Sequence, residues 1–218
     1  MATIAALLDH NIIPLKESYL IETLAGVLNV NVSIEKGQTK IRMEHTKPQF
    51  VAFEGSIDEL AKSINIPTSI IDNRYPIMYG NTGQWTLCLP ISEIHVFKQM
   101  KPMTESFPKI LKEMPKASVH PFCFSALNID ADLHARHFSS PYAGTIEDPV
   151  TGTSTGVMGA YIAKFVKPNI EEKYDLVVEQ GQEIGKDERV TVHIDAELDI
   201  SIAISGIAVF VKKNNIFI

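Results

Sequence analysis

The sequence predicts an α+β fold built from two similar parts, each a curved mixed sheet around one helix of small residues. Three observations point there. Residues 2–8 (ATIAALL) and 156–166 (GVMGAYIAKFV) are both helical stretches rich in Ala or Gly, a composition that lets surrounding strands approach closely. Each is followed by strand-like sequence, a glycine and further strands. The copies differ at one end: strand-like sequence over 118–149 precedes the second helix, whereas the first begins at Met1, so the first copy is expected to lack its opening strands. On periodicity alone a true repeat and a chance likeness both stand.

The elements follow in order. Residues 2–8 are good helix formers, and Pro14 lies beyond their end. Within 19–34, Leu28, Val30, Val32 and Ile34 alternate with Asn29, Asn31 and Ser33, as a half-buried strand does. Gly26 divides that stretch, and Lys36-Gly37 turns it into a further strand, 39–43 (TKIRM). Residues 56–65 place Ile57, Leu60, Ala61 and Ile64 at helical spacing behind a Ser56 cap, with Glu59 three residues on. Residues 86–91 form a short apolar strand, and 101–116, rich in Pro, Met and Lys, read as a connection dividing the chain into 1–107 and 108–218. Strands are expected at 122–127 and 134–138, then the helix that Pro168 stops, then closing strands at 176–179, 189–194, 200–204 and 207–211, with turns at Gly181 and Gly206.

Composition excludes several function classes. The chain has 218 residues, 45% hydrophobic and 21% charged, as globular proteins do. Twenty Lys and Arg against 26 Asp and Glu give a net charge of -6, the wrong sign for general nucleic-acid binding. The apolar run 200–211 is interrupted by Ser201, Ser205 and Gly206 and is too short to span a bilayer. Cys88 and Cys123 lie far apart in apolar surroundings and read as buried small hydrophobes rather than a disulfide framework. A cytoplasmic protein without membrane or nucleic-acid partners is expected.

The densest chemistry lies in Glu147-Asp148-Pro149-Val150-Thr151-Gly152-Thr153-Ser154-Thr155-Gly156. A helix start has free N–H groups and a positive dipole end, suited to a substrate carboxylate. An adjacent carboxylate could move a proton on the carbon which the held carboxylate acidifies. The plainer reading is a cap by Thr151 or Thr153, with Asp148 complementing the dipole. Gly152-Thr153-Ser154-Thr155-Gly156 also spells the G-x-S-x-G of hydrolase elbows, but Pro149 stands where the apolar strand should run. A serine hydrolase through Ser154, with His193 as base, is therefore the third choice. His134 and His137 flank Arg136 without a third ligand of matching spacing, so no metal is expected, and the segment reads as half-exposed. Gly83, in the turn before Trp85, could offer backbone donors to a ligand.

These residues resemble the phenazine-biosynthesis PhzF-like family. Arg136-His137-Phe138 followed by Glu147-Asp148-Pro149-Val150-Thr151-Gly152-Thr153 is similar to its R-x-F…E-D-P-A-T-G-S run. Val178-Glu179-Gln180-Gly181 with Gly185-Lys186 resembles its Q-G…G-R segment, and Ile204-Ser205-Gly206-Ile207-Ala208-Val209 its closing strands. Thr23-Leu24-Ala25-Gly26-Val27-Leu28 resembles its T-x-A-G-x-L strand, and Ala2-Thr3-Ile4-Ala5-Ala6-Leu7 the stretch after its Gly-His pair.

The resemblance implies a duplicated diaminopimelate-epimerase-like fold with a cleft between its domains, and a proton-shifting isomerisation without metal or organic cofactor. It assigns catalytic roles to Asp148 and Thr153 and substrate binding to Gly152, Thr151, Ser154 and Gly83, for a small carboxylate-bearing substrate. The family's leading strands and their glutamate find no match, and Met1 falls where the family has a histidine. Thr153 and Lys186 stand for the usual Ser and Arg. The expectation is an isomerase weakened by that loss, a homodimer or an assembly with a missing N-terminal fragment. The alternative is a non-catalytic carboxylate-binding protein or a piece of a split gene.

Overall fold

The computed structural model describes residues 1–23, 26–35, 37–169 and 172–208. The chain separates into two compact units, residues 1–44 with 205–218, and residues 45–204.

In the first unit α1 (Ala2–Asp9) is followed by β1 (Ser18–Thr23), β2 (Gly26–Glu35) and β3 (Gln38–Glu44), paired antiparallel in sequence order. The expected alternation sets the register. Val30 sits opposite Tyr19 on β1 and Met43 on β3, and with Val32, Ile41, Ile4 and Ala5 it forms the core of the unit. The other strand face carries polar residues beside the exposed Leu20 and Val27, and there the Ser18 hydroxyl donates to Asn29 Oδ1 at 2.7 Å. Gly26 opens β2 with a φ of +121°, a conformation glycine adopts readily. Leu24 and Ala25 of the strand motif, and Lys36 of the expected turn, lie outside the described residues.

The second unit holds β4 (Gln49–Ala52), α2 (Ile57–Ser63), β5 (Met78–Asn81), β6 (Trp85–Pro90), α3 (Phe107–Ile110), β7 (Ser118–Cys123), β8 (Leu133–Ala135), α4 (Gly152–Tyr161), β9 (Lys173–Gln180) and β10 (Glu188–Asp195), and the start of β11 (Ser201–Ile207). The sheet runs β4-β5-β6-β7-β8-β9-β10-β11 and is mixed, since β6–β7 and β8–β9 pair in parallel and the other registered pairs are antiparallel. An α+β class with few helices is what the sequence predicted. The Ser56 cap of α2 is also found, its hydroxyl accepting from the Glu59 N–H at 3.2 Å.

Helix α4 explains the curvature of this sheet. Although β7, β8 and β9 separate β6 from β10 in the ladder, β5, β6 and β10 all pack on α4, so the sheet bends around it. Glycines sit where it is closest. A Cβ on Gly152 would strike Ile204, one on Gly156 the His45 ring, and one on Gly159 Val192. Across from the helix, a Cβ on Gly80 of β5 would strike Val157.

Three expectations change. Residues 101–116 are not a bare connection: they carry α3, and Phe107 and Leu111 are fully buried in the core beside Leu60, Phe97 and Val119. The compact units accordingly do not follow the 107/108 division, because β6 and β7, from either side of it, pair in parallel. Gly206 lies inside β11 and makes no turn. Gly181 and Gly185 do bound a turn, both left-handed, between antiparallel β9 and β10. Residues 209–211 of the last expected strand lie outside the described residues.

Candidate active site

Thr151, the residue that caps α4, and Asp148 ahead of it lie on a cleft of about 770 Å³ whose walls also include Trp85, Glu113, Lys116 and His137. Each comes from the second unit.

Arg136 places the segment that enters α4. Its guanidinium grips both Glu147 oxygens, Nε to Oε1 at 2.8 Å and Nη2 to Oε2 at 2.5 Å, while Nη1 donates to the Phe97 and Met100 carbonyls. This buried fork is geometrically specific. The Asp148 N–H then donates to the His137 carbonyl at 3.1 Å. Because Arg136 is committed to Glu147, it does not offset the charge of Asp148.

Asp148 is held by its own turn. The Thr151 hydroxyl donates to Oδ2 at 2.8 Å and the Val150 N–H reaches Oδ1 at 3.4 Å. Gln180 Nε2 donates to the Asp148 carbonyl at 2.9 Å from the end of β9. Thr151 is the cap residue, yet its hydroxyl is turned to Asp148 and not to the helix N–H groups. The first-turn N–H groups of Gly152, Thr153 and Ser154 come too early for intrahelical bonds, the arrangement that in general suits an anion.

The other expected residues surround that start. Gly83, with a φ of +147°, comes close enough that a Cβ there would lie 3.9 Å from Thr153 Cγ2. The side of Gly152 where a Cβ would project meets Ile204. Ser154 is buried, and its hydroxyl lies 3.0 Å from Thr86 Oγ1, which is 3.1 Å from Ser118 Oγ. The hydrolase reading loses its basis here. Ser154 pairs with a threonine rather than a histidine, and His193 pairs with Asp175 at 2.7 Å on the β9–β10 ladder.

The segment read as half-exposed is buried. His134, Arg136 and His137 all lie below a tenth exposed. His134 sits in β8, mid-sheet between β7 and β9. Arg136 and His137, just beyond it, stay against β7, where the Arg136 N–H donates to the Pro121 carbonyl and the His137 ring neighbours His120. His134 is structural, its ring nitrogens 2.8 Å from Glu179 Oε1 and 3.0 Å from Glu183 Oε1. His137 instead lines the cleft, and burial pulls its pKa down to about 4 against the opposing pull of Asp148, so the ring is neutral at pH 7. His120, fully buried on β7, has its ring centroid 5.6 Å from that of His137, and burial likewise holds it neutral. Sequence reasoning missed His137, Glu113 and Lys116 as cleft residues. The H-x-x-H spacing drew the eye to His137, but its burial depends on strand order.

A family model described as phenazine biosynthesis-like protein (PhzC-PhzF) matches residues 1–214. The chain belongs to the PhzF family. It is similar to an uncharacterized isomerase of Bacillus subtilis, YfhB, with 41% identity over 211 residues, covering 96% of this chain and 71% of that protein. An uncharacterized isomerase of Clostridium acetobutylicum is 28% identical over 204 residues, 89% of this chain and 66% of that protein. The crystal structure of a Bacillus anthracis phenazine biosynthesis protein of the PhzF family superposes with a TM-score of 0.92 at 46% identity, covering 99% of this chain and 74% of that one. A predicted epimerase of Pseudomonas aeruginosa shares the fold, with a TM-score of 0.70 at 17% identity, over 93% and 68% of the two chains. Among the described residues no helix is long and apolar enough to cross a membrane.

Proposed function

We propose that this PhzF-family chain binds a small carboxylate against the start of α4 and shifts a proton on the bound molecule, as an isomerase. The observation that carries the reading is the placement of Asp148: a fixed carboxylate in the cleft wall, three residues ahead of the cap Thr151. The substrate carboxylate would accept from the N–H groups of Gly152 and Thr153, aided by the helix dipole and by Lys116 on the cleft wall. Withdrawal of electrons into the held carboxylate acidifies the neighbouring carbon. Asp148 takes the proton from that carbon, which adjoins a carbon–carbon double bond of the ligand, and returns it to the far carbon of that double bond. One C–H bond thus breaks, one forms and the double bond moves by one position. Thr151 keeps the base oriented, and Thr153 lines the helix start beside Gly83.

A second reading, binding without chemistry, draws on the same turn: Asp148 accepts from Thr151 and Val150 as a capping carboxylate would. One experiment separates the two. The full chain is titrated with aromatic and amino carboxylates in D2O, following the amides of Gly152 and Thr153 and the uptake of deuterium on ligand carbon. The isomerase reading expects amide shifts together with deuterium uptake. Asp148→Asn should keep or improve binding while slowing uptake by about 10²–10⁴-fold, the usual contribution of a general base. Binding without uptake supports the second reading, and no shift at either amide reduces the run to a helix cap. Gly152→Val is a poor probe of the cradle, because its side chain would meet Ile204 rather than the ligand.

A further inference from the structure

One wall of the cleft is built differently from the rest. Trp85 and Ser118 stand on strands and Thr151 caps α4, whereas Ser140, Tyr142 and Ala143 belong to the loop between β8 and α4. The stem of that loop is stapled. The Ser139 N–H donates to the Ile146 carbonyl at 2.9 Å, the Ser139 and Thr145 hydroxyls lie 3.1 Å apart, and below them Glu147 is locked to Arg136. The tip is not. Across residues 140–144 the one hydrogen bond among the described residues is internal, from the Ala143 N–H to the Ser140 carbonyl at 2.9 Å. The Ser140 hydroxyl is buried without a partner among the described residues, so the present position of the tip leaves a bond unmade. At the other end of the tip Gly144 has a φ of +76° and open space where a Cβ would project, so its backbone can turn without a clash. Between these ends Tyr142 is 67% exposed, although it lines the cleft. Few ties, an exposed tip and a glycine mark a segment that moves at low cost in free energy.

We infer that residues 140–144 are a lid on the cleft: with the stapled Ser139 and Thr145 as its base and Gly144 as its hinge, the tip folds inward and lays the Tyr142 ring over a bound molecule. The inference rests on the proposed binding at the start of α4 and adds to it what keeps the bound molecule from leaving. Folding inward takes an aromatic ring out of water, which favours closure, and slows release. The bound molecule supplies the surface on which the ring packs, so the lid closes on the complex and stays open in the free protein. Asp148 is not displaced by this motion, because its N–H is bound to the His137 carbonyl below the stem.

The test uses benzoate as the probe and the full chain labelled with ¹⁵N. The amides of Gly152 and Thr153 report on the helix start, and those of Tyr142, Ala143 and Gly144 on the tip. Stopped-flow fluorescence of Trp85, on the cleft wall, gives the association and dissociation rates. Benzoate is expected to shift both sets of amides and to raise the order of the tip on the ps–ns timescale. Tyr142→Ala, a change at an exposed side chain, should keep the shifts at Gly152 and Thr153 and raise the dissociation rate about tenfold, the lower end for covering one aromatic ring. Its association rate should stay within about twofold. Tyr142→Phe, which keeps the ring, should restore slow dissociation. Shifts at Gly152 and Thr153, with a tip that stays mobile and a dissociation rate unmoved in Tyr142→Ala, would overturn the lid and leave the carboxylate site standing. Ordering of the tip with no shift at Gly152 and Thr153 would support the lid and place the bound molecule away from the helix start. No change in either place overturns both.

Discussion

Eight consecutive residues of α4, Ser154 to Tyr161, are buried, whereas α1 buries Ile4 and Ala5 and leaves Ala2, Thr3 and Ala6 exposed. Both helices are made of small residues, so composition does not separate them. What differs is coverage. Around α4, the strands β5, β6 and β10 press in from several directions, and side chains of Ile204, His45 and Val192 fill the places where glycine has no Cβ. Around α1, the described core lies on one side, formed by Val30, Val32 and Ile41. The lesson is that small residues permit enclosure without producing it; a sheet of sufficient breadth must be present to close.

The largest expected consequence is a difference in acid sensitivity. The histidines His45 and His137 lie near α4 or its entry, and burial lowers each pKa from 6.5 to about 4. Below pH 6.5 the unfolded chain takes up protons at these positions that the folded chain refuses. Stability therefore falls as pH drops from 6.5 towards 4 and is recovered as it rises. Between pH 7 and 5 each histidine should cost about 2 kcal/mol, with His120 adding to the loss. The fluorescence of Trp85, the one tryptophan of the sequence, reports unfolding of the 45–204 unit in urea at the two pH values. His45→Gln and His137→Gln should each shrink the pH difference by about 2 kcal/mol. An unchanged difference in both variants would show that these rings are not buried neutral.

A smaller effect, of unusual sign, is expected at Gly159. In an exposed helix Gly→Ala gains up to about 1 kcal/mol. Here the added methyl would strike Val192 and lie 3.6 Å from Ile194, two buried side chains of β10. Val192 is β-branched and has few rotamers to retreat into. Gly159→Ala should thus destabilise by about 1–3 kcal/mol, the usual range for overpacking, measured by urea denaturation at pH 7. A gain in stability would mean that the sheet around α4 is looser than its glycines imply.

How much of this was legible beforehand follows from which interactions are local. The alternation of Val30 and Val32 and the Ser56 cap depend on near neighbours along the chain, and both could be read from sequence. So could the crowding of Asp148, Thr151 and Thr153 at one helix start. The glycines of α4 could be read as small residues, but not the distant Ile204, His45 and Val192 they make room for. The depth of Arg136 and His137 could not, because it comes from partners distant in sequence: Phe97, Met100 and Pro121 for Arg136, and His120 for His137. Nor could the pairing of Arg136 with Glu147, eleven residues on. Residues 101–116 misled through composition: Pro and Lys suggested a linker, while Phe107, Ile110 and Leu111 were anchoring it to the core.

The smallest effect is expected on α1, and there a null result is informative. Ala6 lies on the exposed side of that helix, between the buried Ile4 and Ala5 and the partly buried Leu8. Leucine has nearly the helix propensity of alanine, and an exposed apolar side chain neither gains burial nor meets a neighbour. Ala6→Leu should therefore change stability by less than about 0.5 kcal/mol, the range of surface substitutions, as judged by urea denaturation followed by circular dichroism. Carried out beside Gly159→Ala, it asks the same question of both helices: does added volume find space? A loss at Ala6 as large as that at Gly159 would show this face of α1 to be covered in solution, and the contrast between the two helices would then disappear.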